Sequence, residues 1–77
     1  MKEDFNKNRF KFDNGNYYIS NYVEILYANN RTDKGEIIDI NPESNYIRLR
    51  IYRTKNNYFD MKIFNENIKN IKLIKRE

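Results

Sequence analysis

The stretch Tyr46-Ile47-Arg48-Leu49-Arg50-Ile51-Tyr52-Arg53 decides the fold, because apolar and polar side chains alternate in it without interruption. In an extended strand, neighbouring side chains point to opposite faces of the sheet. One face of this strand would therefore carry only the aliphatic residues Ile47, Leu49 and Ile51. The other face would carry tyrosine rings and guanidinium groups. The pattern predicts a strand with one side in a core and the other side in solvent.

The residues that follow predict a partner for this strand. If residues 53–57 form a turn, antiparallel pairing brings apolar side chains together on the core side and the others together on the opposite side. The predicted core-side pairs are Ile51 with Phe59, Leu49 with Met61 and Ile47 with Ile63. The predicted pairs on the opposite side are Tyr52 with Tyr58, Arg50 with Asp60, Arg48 with Lys62 and Tyr46 with Phe64. A slip of one residue would mix the two sets, so the pattern specifies this register.

The rest of the chain has the same β character. An Asn14-Gly15 turn between Arg9–Phe12 and Tyr17–Ile19 predicts a small hairpin. Strands are also predicted at 22–28, 35–40 and 68–74, separated by polar or proline-containing turns. We therefore expect an all-β domain over residues 10–77, a small five- or six-stranded antiparallel barrel, preceded by a flexible N-terminal arm at 1–9.

The composition excludes several kinds of chemistry. The chain has 77 residues with neither cysteine nor histidine, so it cannot form a disulfide, a thiolate or imidazole metal site, or a nucleophilic triad built on those residues. Its carboxylates are scattered, and Asp39, Glu43 and Asp60 do not have the spacing of a metal loop or of an acid–base pair. We expect a protein that is not an enzyme and that uses no cofactor and no metal.

Charge and hydropathy indicate the kind of partner and compartment. Fifteen Lys and Arg against eleven Asp and Glu give a formal net charge of +4, and a positive field favours anionic partners. Asn, Lys, Ile and Tyr all have A/T-rich codons, so a low-GC genome is an alternative origin for part of this charge. No apolar run is long enough for a signal peptide or a membrane span, which predicts a cytoplasmic protein without a membrane partner.

The polar face of strand 46–53, extended by the strand opposite it, is the candidate binding site. Guanidinium groups pair with phosphate oxygens, and aromatic rings stack on bases. The candidate ligand-binding residues are Tyr46, Arg48, Arg50, Tyr52, Tyr58 and Lys62. They predict binding of single-stranded nucleic acid or of a nucleotide, with little sequence specificity.

Two alternatives remain open for this face. The N-terminal hairpin could cover it, so that the hairpin phenylalanines pack over Tyr46 and Phe64 and Arg50 serves only as a partner of Asp60. Tyrosine and arginine are also favoured at protein interfaces, so the same face suits a protein partner that docks at a strand edge. A second basic cluster, typical of solvated surface as well as of a phosphate site, contains Lys69, Lys72, Lys75 and Arg76, with Arg9 and Lys11 nearby.

Hydrophobic positions across residues 22–74 resemble a known family of small barrels. Their order is Val23-Glu24-Ile25-Leu26-Tyr27, a polar turn, Gly35-x-Ile37-x-x-Ile40, Ile47-x-Leu49, Ile63-Phe64 and Ile68-x-x-Ile71. This order resembles the Sm-like proteins, which include bacterial Hfq, and more closely the C-terminal part of the YolD-like family. The resemblance implies an Sm-like or SH3-like barrel and a loose link to phage and DNA-damage contexts.

The chain departs from the Sm-like pattern at the turn that contacts RNA in that family. The corresponding stretch is 63–68, which has neither a Lys-His nor an Arg-Gly pair and offers only Asn65 and Asn67 as base-edge partners. We therefore expect a non-catalytic small basic binding module for single-stranded nucleic acid or a nucleotide. The alternative is a phage or mobile-element protein that inhibits a host or defence protein. Exposed strand edges also predict a homo-oligomer, such as the rings that Sm-like proteins form.

Overall fold

The computed structural model describes residues 9–13 and 15–75, and most of these residues are in β-strands. The strands are β1 (Arg9–Phe12), β2 (Gly15–Tyr18), β3 (Tyr22–Tyr27), β4 (Thr32–Asn41), β5 (Tyr46–Thr54), β6 (Asn57–Phe64) and β7 (Ile68–Leu73). A short 3-10 helix, Asn65–Asn67, joins β6 to β7. Most of the predicted arm, residues 1–8, lies outside the described residues, whereas Arg9 is the first residue of β1. The described part of the chain has no helix with the length and apolarity needed to cross a membrane.

The strands form two antiparallel sheets. β1 pairs with β2, and the larger sheet has five strands in the order β6-β5-β4-β3-β7. The structure confirms the all-β class, the predicted hairpin and a sheet of five strands. β6 and β7 lie at the two edges of the larger sheet, and among the described residues no pairing between them closes it. The predicted small barrel is therefore confirmed only as an all-β fold, and no closed barrel is found among these residues.

β5 and β6 pair in the register predicted from the alternation. The pairs are Tyr46–Phe64, Ile47–Ile63, Arg48–Lys62, Leu49–Met61, Arg50–Asp60, Ile51–Phe59 and Tyr52–Tyr58. Beyond Tyr52 the ladder has a bulge before Thr54 pairs with Asn57. The connecting turn is therefore only Lys55 and Asn56, which is shorter than the predicted turn at 53–57.

A β-bulge in β4 decides which of its side chains are buried. The pairing with β5 skips Ile38, which is an extra residue between Ile37 and Asp39. Because a bulge shifts the alternation by one residue, Ile37 and Ile40 are both buried although they are three residues apart. The same shift places Asp39 opposite Arg48, on the other face of the sheet.

The core lies on one face of the larger sheet and is covered by the β1–β2 hairpin. Within residues 9–13 and 15–75, ten buried apolar side chains form it: Phe10, Val23, Ile25, Ile37, Ile40, Ile47, Leu49, Ile63, Ile68 and Ile71. Phe10 is only 1% exposed, and Phe12 and Tyr17 pack against the same cluster. Tyr17 Oη also donates a hydrogen bond to the main-chain oxygen of Ile71 at 3.1 Å. The hairpin therefore lies on the aliphatic side, and the alternative in which it covers Tyr46 and Phe64 is not found.

Candidate nucleic-acid interface

All six candidate site residues lie on the face of the larger sheet opposite the core, which we call the outer face. Tyr46, Arg48, Arg50 and Tyr52 alternate along β5 with aliphatic residues of the core side. On β6, Lys62 and Tyr58 lie across from Arg48 and Tyr52. Tyr58 is 47% exposed, and Phe64, at the other end of the same strand, is 38% exposed. The predicted residues are therefore brought together on a surface that solvent reaches.

Arg50 is held in one orientation by two residues of β6. Its Nε and Nη2 donate hydrogen bonds to the two carboxylate oxygens of Asp60 at 2.8 and 3.1 Å. Its guanidinium carbon lies 4.2 Å from the centre of the Tyr58 ring, which is a cation–π distance. These hydrogen bonds lower the pKa of Asp60 and raise the pKa of Arg50. Both groups are therefore ionised at neutral pH, and Asp60 occupies the Nε/Nη2 edge of the Arg50 guanidinium.

Arg48 has a looser contact with a carboxylate of β4. Its Nε is 3.9 Å from Asp39 Oδ2, and the two side chains are 47% and 55% exposed. An exposed ion pair at this distance contributes little to stability because water and salt screen it. Arg48 is therefore freer than Arg50 to turn toward an added anion.

Two aromatic pairs lie at the two ends of the outer face. Tyr46 and Phe64 meet edge to face with ring centres 5.3 Å apart, and Tyr52 and Tyr58 do so at 5.4 Å. Lys62 Nζ lies 4.7 Å from the ring centre of Tyr46 and 5.8 Å from that of Phe64. Since a strand advances about 3.3 Å per residue, the two aromatic pairs are about 20 Å apart along β5.

The centre of the outer face carries equal numbers of positive and negative side chains. Its cations are Arg48, Arg50 and Lys62, and the carboxylates beside them are Glu36, Asp39 and Asp60. The sequence pattern of β5 and β6 alone predicts a cationic face. The third strand, β4, adds Glu36 opposite Arg50 and Asp39 opposite Arg48. The centre is therefore aromatic and charge-balanced.

Excess positive charge lies next to Tyr52, in a groove of about 500 Å³ that we call the lysine groove. The residues that line it are Tyr22, Glu24, Lys34, Tyr52, Lys55, Lys72, Ile74 and Lys75. It contains four lysines and one glutamate, so its lining is strongly basic.

Sequence reasoning found only part of the lysine groove. Lys72 and Lys75 belong to the predicted second basic cluster, but Lys69 of that cluster donates a hydrogen bond to Asn30 at 3.1 Å instead. Lys34 and Lys55 were missed. They are distant from the C-terminus in sequence, and only the order of the strands brings them to the same groove.

A larger cavity of about 730 Å³ lies between the β3–β4 turn and β6. Inside it, Tyr27 Oη donates a hydrogen bond to Asp33 Oδ2 at 2.7 Å. Burial raises the pKa of Tyr27, and the bond to Asp33 raises it further. Asn67, predicted as a base-edge partner, lines this cavity with Asn29 and Asn30. No sequence motif distinguishes this cavity, because its polar residues come from two separate turns.

The three carboxylates considered for catalysis, Asp39, Glu43 and Asp60, do not form an acid–base pair. Asp39 and Asp60 each face an arginine, and Glu43 is an exposed residue of the β4–β5 turn. Across residues 9–13 and 15–75, no three side chains of the Asp, Glu, His or Cys type are grouped as a metal ion would need. In this structure the two aspartates act as ion-pair partners.

No protein-family model, no curated protein and no solved structure matches the chain. The resemblance of residues 22–74 to the Sm-like and YolD-like families therefore stays a prediction. The function has to be inferred from the outer face and the groove beside it.

Proposed function

We propose that this protein is a non-catalytic module that binds single-stranded nucleic acid on the outer face of its larger sheet. One observation carries the proposal. The hairpin packs on the core side, and this leaves two aromatic pairs, with cations between them, open to solvent. Stacking on aromatic side chains contributes about 1–3 kcal/mol per base and tolerates any sequence. Only unpaired bases expose the ring faces that such stacking needs.

The distance between the aromatic pairs predicts a preference for a chain over a single nucleotide. The pairs are separated by about 20 Å along β5. A mononucleotide can reach one pair, whereas an oligonucleotide of several residues can reach both. Two linked contacts bind more tightly than either contact alone. We therefore expect an oligonucleotide to bind more tightly than a mononucleotide.

The test is a titration of fluorescently labelled oligothymidylate and of a labelled mononucleotide at low salt, measured by anisotropy. Tyr58→Ala should weaken oligonucleotide binding about 5- to 150-fold, which corresponds to the loss of one stacked base. Tyr18→Ala is a matched control, because Tyr18 is 46% exposed and Tyr58 is 47% exposed, but Tyr18 lies in the hairpin. Circular dichroism confirms that both variants are folded.

Several outcomes would contradict this function. One is that the wild-type protein fails to bind the oligonucleotide at low salt. Another is that the Tyr58→Ala variant binds the oligonucleotide as tightly as the Tyr18→Ala variant does. Replacing both Arg48 and Arg50 by alanine should also weaken binding, chiefly because the loosely held Arg48 can reach a phosphate. Unchanged affinity in that double variant would remove the arginines from the proposed interface.

A second candidate function is docking on a protein, as expected of a phage or mobile-element inhibitor of a host or defence protein. One observation favours it: β6 is an edge strand, and Phe59 and Phe64 on it are 37% and 38% exposed. An exposed edge can accept an added strand from a partner. The test is a pull-down before and after nuclease digestion. A defined partner that stays bound after digestion, while purified protein fails to bind oligonucleotide, would favour this function over the first.

We also propose that the larger sheet is an open form of an Sm-like or SH3-like barrel. β7 pairs with β3, which brings the last strand back to the first strand of the larger sheet. The two edge strands are joined by only the three residues of the 3-10 helix. A connection this short keeps the edges β6 and β7 close at one end, as a small barrel requires.

A further inference from the structure

The lysine groove differs from the centre of the outer face in how many of its positive side chains are paired with a carboxylate. At the centre, Arg50 and Arg48 each face a carboxylate. In the groove, Lys72 Nζ lies 3.8 Å from Glu24 Oε1, but Lys34, Lys55 and Lys75 form no ion pair with any carboxylate among the described residues. These three ammonium groups are on exposed residues. An anion in the groove can therefore approach Lys34, Lys55 and Lys75 without displacing a carboxylate from them.

The groove is continuous with one of the two aromatic pairs. Tyr52 lines the groove and also meets Tyr58 at 5.4 Å between ring centres. A base stacked on this pair would leave its sugar and phosphates at the edge of the groove. Lysine carries a compact charge on a flexible stem, so it can follow a phosphate chain without fixed geometry.

We propose that the lysine groove binds the backbone phosphates of the same single strand whose bases stack on Tyr52 and Tyr58. This inference rests on the proposed function and adds the path of the strand, which runs from the aromatic pair past Lys55 of the β5–β6 turn and across β4 and β3 toward β7. Aromatic rings hold the bases, and the phosphates lie among Lys34, Lys55 and Lys75. The centre of the outer face contributes ring contacts and little net charge.

The salt dependence of binding tests this path. Each phosphate neutralised on a single strand adds about 0.7 to the slope of log affinity against log salt, because a bound counterion is released. The variant Lys34→Gln, Lys55→Gln, Lys75→Gln should therefore lose about 2 from the magnitude of the wild-type slope. The control variant Lys11→Gln, Arg31→Gln, Lys69→Gln also loses three positive charges, but from exposed residues outside the groove. Its slope should stay close to that of the wild type.

The outcomes separate this inference from the proposed function. Oligonucleotide binding with a reduced slope only in the groove variant supports it. Binding with the same slope in the wild type and the groove variant, or an equal reduction in both variants, overturns the groove path and leaves the proposed function standing. No binding by the wild-type protein at low salt overturns both. All six substituted side chains are exposed, and circular dichroism verifies that the variants are folded.

Discussion

Gly35→Ala tests the close contact between β4 and β5, on which the arrangement of the outer face depends. Gly35 is buried in β4, where it pairs with Val23 of β3. A Cβ atom at this position would lie 2.5 Å from the main-chain oxygen of Arg50 and 2.9 Å from Cγ of Leu49. Contacts this short do not occur between real atoms of these types, so the two strands would have to separate locally. The φ angle of Gly35 is not positive, so the cost comes from lack of space alone.

The size of the effect follows from what has to move. Forcing an extra carbon into a packed interior costs about 1–3 kcal/mol. The obstacle is main chain within a hydrogen-bonded ladder and cannot rotate away, so we expect the upper end, about 3 kcal/mol. For a chain of 77 residues, the whole free energy of unfolding is about 4–12 kcal/mol. The variant should therefore unfold at a much lower urea concentration or fail to fold.

Gly15→Ala is the matched control in the same urea titration, followed by circular dichroism. A Cβ at Gly15 would meet Oη of Tyr17 at 2.7 Å, which is the far end of a side chain that can move. Moving the ring costs the hydrogen bond to Ile71, about 1 kcal/mol, and part of its packing against the core, but it does not require two strands to separate. If Gly35→Ala destabilised the protein no more than Gly15→Ala does, β4 and β5 would not approach as closely as the structure describes.

Two further predictions concern the hairpin and the outer face. Phe10→Ala should lower the free energy of unfolding by about 3–5 kcal/mol, because Phe10 is 1% exposed in the core. The measurement is a urea titration. A midpoint equal to that of the wild type would show that the hairpin is not docked on the core. The hydrogen bonds from Arg50 lower the pKa of Asp60 in the folded state. They stabilise the fold above the unfolded pKa of about 3.9, and this contribution is lost as the pH falls through the folded pKa. The difference in urea midpoint between the wild type and Asp60→Asn should therefore shrink below about pH 4, and a difference independent of pH would contradict this assignment.

The register of β5 and β6 could be predicted because both strands alternate strictly. A slip of one residue would turn Ile63 away from the face that holds Ile47 and Leu49, so the alternation together with the short turn indicates the observed pairs. The side on which the hairpin docks could not be predicted in this way. Phe10 lies in a short strand whose neighbours suit either face of the sheet, and its position depends on the space left over the aliphatic side.

The contact between Arg48 and Asp39 could not be predicted, because it depends on the bulge at Ile38. Without an extra residue, strict alternation would place Asp39 on the same side as Ile37 and would turn Ile40 outward. The spacing of three between Ile37 and Ile40 is a signal for the bulge, since both are aliphatic and both are buried. Only when that bulge is included does a carboxylate of β4 meet Arg48.

The pairing of the outer-face arginines with aspartates changes which residues can recognise a nucleic acid. Arg50 uses two of its five N–H groups on Asp60, so that carboxylate balances its charge, and it also lies against the Tyr58 ring and restricts its movement. Tyr58 is 47% exposed, so a base can reach the rest of the ring. Ordering the ring before binding lowers the entropic cost of stacking. Arg50 is therefore better suited to position an aromatic ring, and the contacts with phosphate fall to the loosely held Arg48 and to the groove lysines that no carboxylate holds.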